Sequence, residues 1–332
     1  MRYVTTRNRR DFYSAQQVLQ ENRGAEGGLF LPEKLPVYSA ADLESLGTLP
    51  FTARIAQVLN TLCDTELSQW DVDFCVNRNP VRLVELPQKI LLAQCWHNQE
   101  GTLAYMVRAL SARMREDRES VATDWAQIAV WLSILLALFS DSRLPKEHPL
   151  DISLISGEFY GPISAWYGKS MGLPVGKIIL CCNENSGIWE LFHRGQLRTD
   201  TVSIKTQTPE ADVVIPTGLE RLIAGVGGER EVGRYLLAVS SGKTYYPDES
   251  VYEALRKDFR VSVVGRHRME SAVTSVWACG TLLGPYDGLC HAGLLDHRAK
   301  SGHNRQALLL SERSPERDRD TLPAGSIRTE DR

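Results

Sequence analysis

What this 332-residue chain lacks narrows it before any motif is read. It has no C-x-x-C pair, and its seven cysteines (63, 75, 95, 181, 182, 279 and 290) are an odd number in a chain large enough to build its own core. That argues against a disulfide framework and for a reducing, cytoplasmic compartment. No sign of charge dominates: 38 basic against 41 acidic side chains leave −3, so there is no electrostatic footprint for nucleic acid or an anionic membrane. No apolar run approaches the ~20 residues of a bilayer span. The greasiest stretch, Ile128 to Phe139, carries Ser133 and reads as a buried helix. Residues Met1 to Asp11 hold no apolar signal region. With 25 Gly and 15 Pro, the chain is neither collagen-like nor disordered by composition.

What is present reads as an α/β protein. The first eighty-odd residues predict a helical domain: Tyr13 to Asn22, a start at Ser39 to Leu43, and an amphipathic helix from Phe51 to Leu67 with Ile55, Val58, Leu59 and Leu62 on one face. Leu29 to Pro32 reads as an extended edge. Strand-like runs at Val81 to Glu85 and Ile90 to Cys95 precede a helix over 103–115, and Asp124 is placed to cap an apolar helix over 125–139. From Leu150 a βαβ rhythm follows: strands at 151–155 and 175–182, helices at 162–172 and 188–194, and the turn Ser156-Gly157-Glu158-Phe159-Tyr160-Gly161. Helices at 251–258 and 269–279 and a buried strand at 306–310 complete the core. Gly225 to Glu229 reads as a mobile turn, and the charged tail 312–332 as disordered. The domain expectation is 1–85, 86–311 and that tail.

Several ordered stretches resemble the threonine synthase family. They are Met1-Arg2-Tyr3-Val4-Thr5-Thr6-Arg7, Glu26-Gly27-Gly28-Leu29-Phe30-Leu31-Pro32, Asp124-Trp125-Ala126-Gln127-Ile128, Ser156 to Gly161 with Lys169-Ser170-Met171-Gly172-Leu173-Pro174, and Asn183-Glu184-Asn185. Downstream the likeness thins to Thr217-Gly218-Leu219-Glu220-Arg221-Leu222 and the last strand. The resemblance implies a tryptophan-synthase-β-like fold (fold type II). It also implies a pyridoxal phosphate cofactor and conversion of O-phosphohomoserine to threonine and phosphate.

Three departures run against that activity. Schiff-base chemistry needs a lysine amine, and the resemblance puts Met106 at its position, with Val107 for the following aspartate. Without the two-residue insertion Asn98-Gln99 the position becomes Ala104, and no lysine occurs between Lys89 and Lys146 in either register. The family's smaller subdomain, which closes over substrate, has no counterpart between residues 113 and 121, so most of it is expected to be missing. In the glycine turn, where the resemblance implies a phosphate cradle at a helix N-terminus, Glu158 replaces an asparagine and repels a dianion.

The remaining cofactor-site expectation is a remnant made of Ser156, Gly157, Glu158, Phe159, Tyr160, Gly161 and Ser311. Phe159, Tyr160 and Gly161 offer backbone donors for a small anion. Ser311 falls where the family sets a hydroxyl against the cofactor ring nitrogen, though it reads more simply as a strand-end cap. Cys95 with His97, and Cys290 with His291, lack a metal-ligand spacing, so no metal is expected. The resulting expectation is an inactive threonine-synthase-like binding or interaction module without bound cofactor. A pyridoxal-phosphate-dependent phospholyase is the alternative. The helix 125–139, apolar all round, suggests a homo-oligomer or a complex with an intact relative.

Overall fold

The computed structural model describes residues 1–115, 122–145 and 148–322. The N-terminal part is less helical than expected. β1 (Arg2–Thr5) lies between β2 (Tyr13–Ser14) and β3 (Phe30–Pro32) in a small antiparallel sheet. Strands of two to four residues are too short for their period to stand out in a sequence. Because Tyr13 and Ser14 pair with β1, the first helix is only α1 (Ala15–Gln20). α2 (Ala40–Gly47) starts at Ser39, whose side chain exchanges capping bonds with Asp42 as anticipated. α3 (Phe51–Cys63) buries Ile55, Val58, Leu59 and Leu62 completely. α4 (Gln69–Cys75), opened by the same box from Ser68 and Asp71, went unread in the sequence.

The main sheet has six strands. β4 (Arg82–Leu86) forms an antiparallel hairpin with β5 (Ile90–Gln94) through Gln88 and Lys89, both at positive φ. α5 (Leu103–Arg115), α6 (Asp124–Phe139), β6 (Leu150–Ile155), α7 (Tyr160–Ser170), β7 (Val175–Cys182) and α8 (Gly187–Arg194) follow within one or two residues of expectation. α9 (Leu219–Ser240), α10 (Glu249–Asp258), β8 (Phe259–Val263), α11 (Arg266–Trp277), α12 (Pro285–Ser301) and β9 (Ala307–Ser311) complete the chain. The order is β4-β5-β9-β6-β7-β8, and every pairing except β4–β5 is parallel.

Alternation along these strands divides the core in two. Ile152, Leu154, Ile178, Leu180, Leu308 and Leu310 face the helices α6 and α7. Ile179, Cys181, Ala307 and Leu309 face α11 and α12. α12 was missed because its glycines look like breakers. A Cβ on Gly293 would stand 2.5 Å from the Cys181 sulfur, so the glycine is what lets α12 lie against the sheet. The glycines read as a mobile turn at 225–229 lie inside α9, which bends at Gly228 (φ 70°).

Two further expectations are corrected. α6 is capped by the Thr123 hydroxyl, which accepts from the Ala126 N–H, while the Asp124 carboxylate accepts from the Tyr160 hydroxyl. All of 128–139 is buried by this chain's own α2, α3, α5 and α7, so α6 presents no face to a partner. The tail is ordered over 312–322: the Leu103 N–H donates to the Glu312 carbonyl and the Ser314 N–H to that of Gly101, leading into a 3₁₀ turn at Pro315–Thr321. The rest of the tail expectation, 323–332, lies outside the described residues.

Two of the motifs quoted from opposite ends meet. Arg7 donates two bonds of 3.1 Å to the Glu220 carboxylate, which also accepts from Thr6. The fully buried Arg221 donates to the Phe30 carbonyl and stands 3.5 Å from Asp124. The N-terminal sheet is thereby fixed to α9 and α6. Among the described residues, no helix is long and apolar enough to cross a membrane.

Candidate functional site

The carboxyl ends of parallel strands, where chain direction switches, are the usual place for a ligand in an open α/β sheet. Here a cleft of about 380 Å³ opens at the ends of β6 and β9, between the start of α5 and the glycine turn. Ala104 and Val107 form one wall, residues 156–162 another, Trp131 lies behind, and Glu210 and Glu312 enter from loops. The turn is built for close approach. A Cβ on Gly161 would meet Leu154 at 2.7 Å, so only glycine lets α7 start against β6. Gly157 and Phe159 both have positive φ, at 41° and 75°, and Phe159 is held there by complete burial of its ring.

The expected remnant residues fare differently. Ser156 to Gly161 line the cleft together. The Phe159 N–H, expected as an anion donor, is spent on the Ser156 carbonyl at 3.0 Å. Glu158 accepts the Thr217 N–H at 2.8 Å through its carboxylate and the Gly218 N–H through its carbonyl. Met106 does not reach the cleft: it is fully buried in the main core, and the side chain facing the cleft from this turn of α5 is Ala104.

Ser311 is also buried. Its hydroxyl donates to Asp287 at 3.0 Å and accepts from the Trp96 indole at 2.9 Å, so it belongs to a closed polar chain rather than capping a strand end. Burial pushes the Asp287 carboxyl up to about 7, against the opposing pull of Ser311. Cys95 is wholly buried, whereas His97 lies in the following turn, bonded to Gln94 and tilted against Trp96. Cys290 and His291 sit inside α12, and burial holds His291 down to about 4. Among the described residues no group of side chains is arranged to hold a metal.

Sequence reasoning found one of the cleft's carboxylates and missed two. Glu210 follows Pro209 in a short 3₁₀ turn and pairs with Arg313 at 3.2 Å. Burial, then Glu210 and Asp287, raise the Glu312 carboxyl to about 8. It is thus mostly neutral at pH 7.

The architecture is that of fold-type-II pyridoxal phosphate enzymes, and in particular of threonine synthases. The threonine synthase of Brucella melitensis, solved with pyridoxal phosphate bound, superposes with a TM-score of 0.86 at 15% identity over 96% of this chain and 90% of that one. Residues 2–79 match the family model "Threonine synthase N terminus". The threonine synthase of Eremothecium gossypii is 22% identical over 167 residues, 46% of this chain and 32% of that protein. Threonine synthase-like 1 of Homo sapiens is 25% identical over 166 residues, 48% of this chain and 22% of that protein. The matched stretch is therefore a third or less of these relatives' own length. The chain has the threonine synthase fold, and its first 79 residues carry the match to the family's N-terminal model.

The residues present do not fit the cofactor that this fold implies. Among the described residues no lysine, arginine or histidine lines the cleft, whereas the carboxyl groups of Glu158, Glu210 and Glu312 do, Glu210 being paired with Arg313 from outside it. A unit-charge pair at 4 Å and an effective dielectric of 20 repels by about 4 kcal/mol, more than two backbone N–H groups return. The Ser311 hydroxyl proton is committed to Asp287, so it is not available to donate to a ring nitrogen while that bond holds.

Proposed function

We propose that this chain is a catalytically inactive threonine-synthase-like protein that serves as a binding or interaction module. The single observation that carries the reading is the wall of the cleft at α5, where Ala104 and Val107 stand and no lysine enters. The short connection supports it: only eight residues separate Arg115 from Asp124, too few for the subdomain that closes over substrate in the family. Cys63, Cys95, Cys181, Cys182 and Cys290 are buried and form no disulfide among the described residues, which supports a reducing, cytoplasmic setting. Association with a second copy or an intact relative draws support from exposed Trp70 and Phe74 on α4, not from α6.

The test is an absorbance spectrum of the purified chain with added pyridoxal phosphate, before and after borohydride. No reducible chromophore is expected. A lysine-linked pyridoxyl adduct in the cleft would overturn the reading and favour the phospholyase alternative, for which the overall superposition is the supporting observation. Incubation with O-phosphohomoserine, followed by phosphate assay, separates the two again.

A further inference from the structure

A second concavity shares no lining residue with the cleft. It is an open groove of about 810 Å³ between the loop before β4, the turn after β5 and the start of the 3₁₀ segment. Its chemistry differs from the cleft's. Three guanidinium groups line it, from Arg78, Arg82 and Arg317, against the carboxylates of Glu100 and Glu316. Glu100 is already taken by Arg108 at 2.7 Å, which leaves three cations facing one free carboxylate. Among the described residues neither Arg78 nor Arg82 has an acidic partner, and Arg78 rests over the Trp70 ring.

Beside the arginines is an aromatic platform. The Trp96 and His97 rings are 4.2 Å apart at 30° and both line the groove. Their orientation is fixed from behind: the Trp96 indole N–H donates to Ser311, and the His97 ring bonds Gln94 at 3.0 Å. Burial and the neighbouring Arg82 lower the His97 pKa, which favours the uncharged ring as a stacking surface. The loop supporting it is held in an unusual shape. Asn77 has φ 147° and donates from its side chain to the His97 carbonyl at 3.0 Å. Asn79 adds an amide that has no partner among the described residues.

Guanidinium forks match phosphate oxygens, and a fixed aromatic pair with an adjacent amide matches a flat heterocycle. We propose that this groove binds a planar heteroaromatic phosphate monoester, its ring on Trp96–His97 and its phosphate on Arg78 and Arg82.

The probe is adenosine monophosphate, titrated calorimetrically into the full chain at low salt, with adenosine and inorganic phosphate as the two halves of the ligand. Saturable binding of the monophosphate is expected, with each half at least about tenfold weaker. Arg78→Gln and Arg82→Gln should each weaken it by about fivefold or more. Both side chains are exposed, so the variants should fold, and far-ultraviolet circular dichroism checks that they do. Absence of saturable binding up to about 5 mM overturns the proposal. Inorganic phosphate binding as tightly as the nucleotide overturns it too, as does unchanged affinity in both variants. None of these outcomes bears on whether the cleft accepts pyridoxal phosphate.

Discussion

Glu312→Gln should change the pH dependence of stability, removing a loss that in the wild type begins near pH 4.5 and is already substantial at neutrality. In the folded chain the Glu312 carboxyl is raised by burial to about 8, whereas in the unfolded chain it titrates near its ordinary 4.5. Between those values the folded state holds a proton that the unfolded state has released. Raising the pH through this window therefore withdraws stability, by about 1.4 kcal/mol per pH unit while the difference is one full proton. From pH 7 to 8.5 the folded carboxyl goes from mostly protonated to mostly ionised, and the integrated loss is about 1 kcal/mol. Asp287, raised to about 7, adds a smaller loss in the same direction. Histidines held low by burial contribute oppositely, but mostly below pH 7 and equally in both proteins. The difference between wild type and variant isolates Glu312. Urea unfolding followed by tryptophan fluorescence at pH 7 and 8.5, at constant ionic strength, gives that difference. The variant should gain about 1 kcal/mol on the wild type across the interval. Parallel changes in the two proteins would refute the argument and return Glu312 to an ordinary, solvated carboxylate.

Met106→Lys should destabilise by about 3 kcal/mol or more, because the ammonium enters a dry core. Ala104→Lys should fold with a denaturation midpoint near wild type and still form no threonine, since no subdomain closes the cleft; threonine release above background would contradict this. Glu158→Gln should keep the bond from Thr217 and remove one charge, so phosphate affinity in low-salt calorimetry should rise while remaining weak. Leu135→Ala in α6 should cost about 2–5 kcal/mol, read from the urea midpoint, because the site is closed on every side. Light scattering over a hundredfold dilution tests association. If Trp70 and Phe74 form the contact, a concentration-dependent mass should disappear in Phe74→Ser.

The parts of the fold legible in the sequence are those where one period dominates. The α5 and β7 limits were read to the residue, and β6 to within one, from runs that are apolar in the right spacing. Elements that pack through glycine were illegible, because in α9 and α12 the residue that permits close contact also lowers helix propensity. β8 follows α10 without a turn, so no punctuation marks its start. The site was half legible. The glycine turn announced itself, but Glu158, Glu210 and Glu312 come from three distant segments, and only the fold reveals that they share one cleft. That Met106 turns into the core and Ala104 toward the cleft depends on the phase of α5, which a single sequence read with or without a two-residue insertion does not fix.

The last strand to be made, β9, sits in the middle of the sheet, pairing with β5 on one side and β6 on the other. During synthesis the hairpin β4–β5 and the β6–β7–β8 layer therefore emerge as two separate half-sheets, each with an open apolar edge. They cannot join until Ser311 has left the ribosome. A nascent chain stopped short of residue 307 carries nearly all its hydrophobic residues and no means of covering the seam. Such fragments are natural clients for a holding chaperone, and a fusion partner for expression belongs at the N-terminus, where it shields the growing chain throughout this interval.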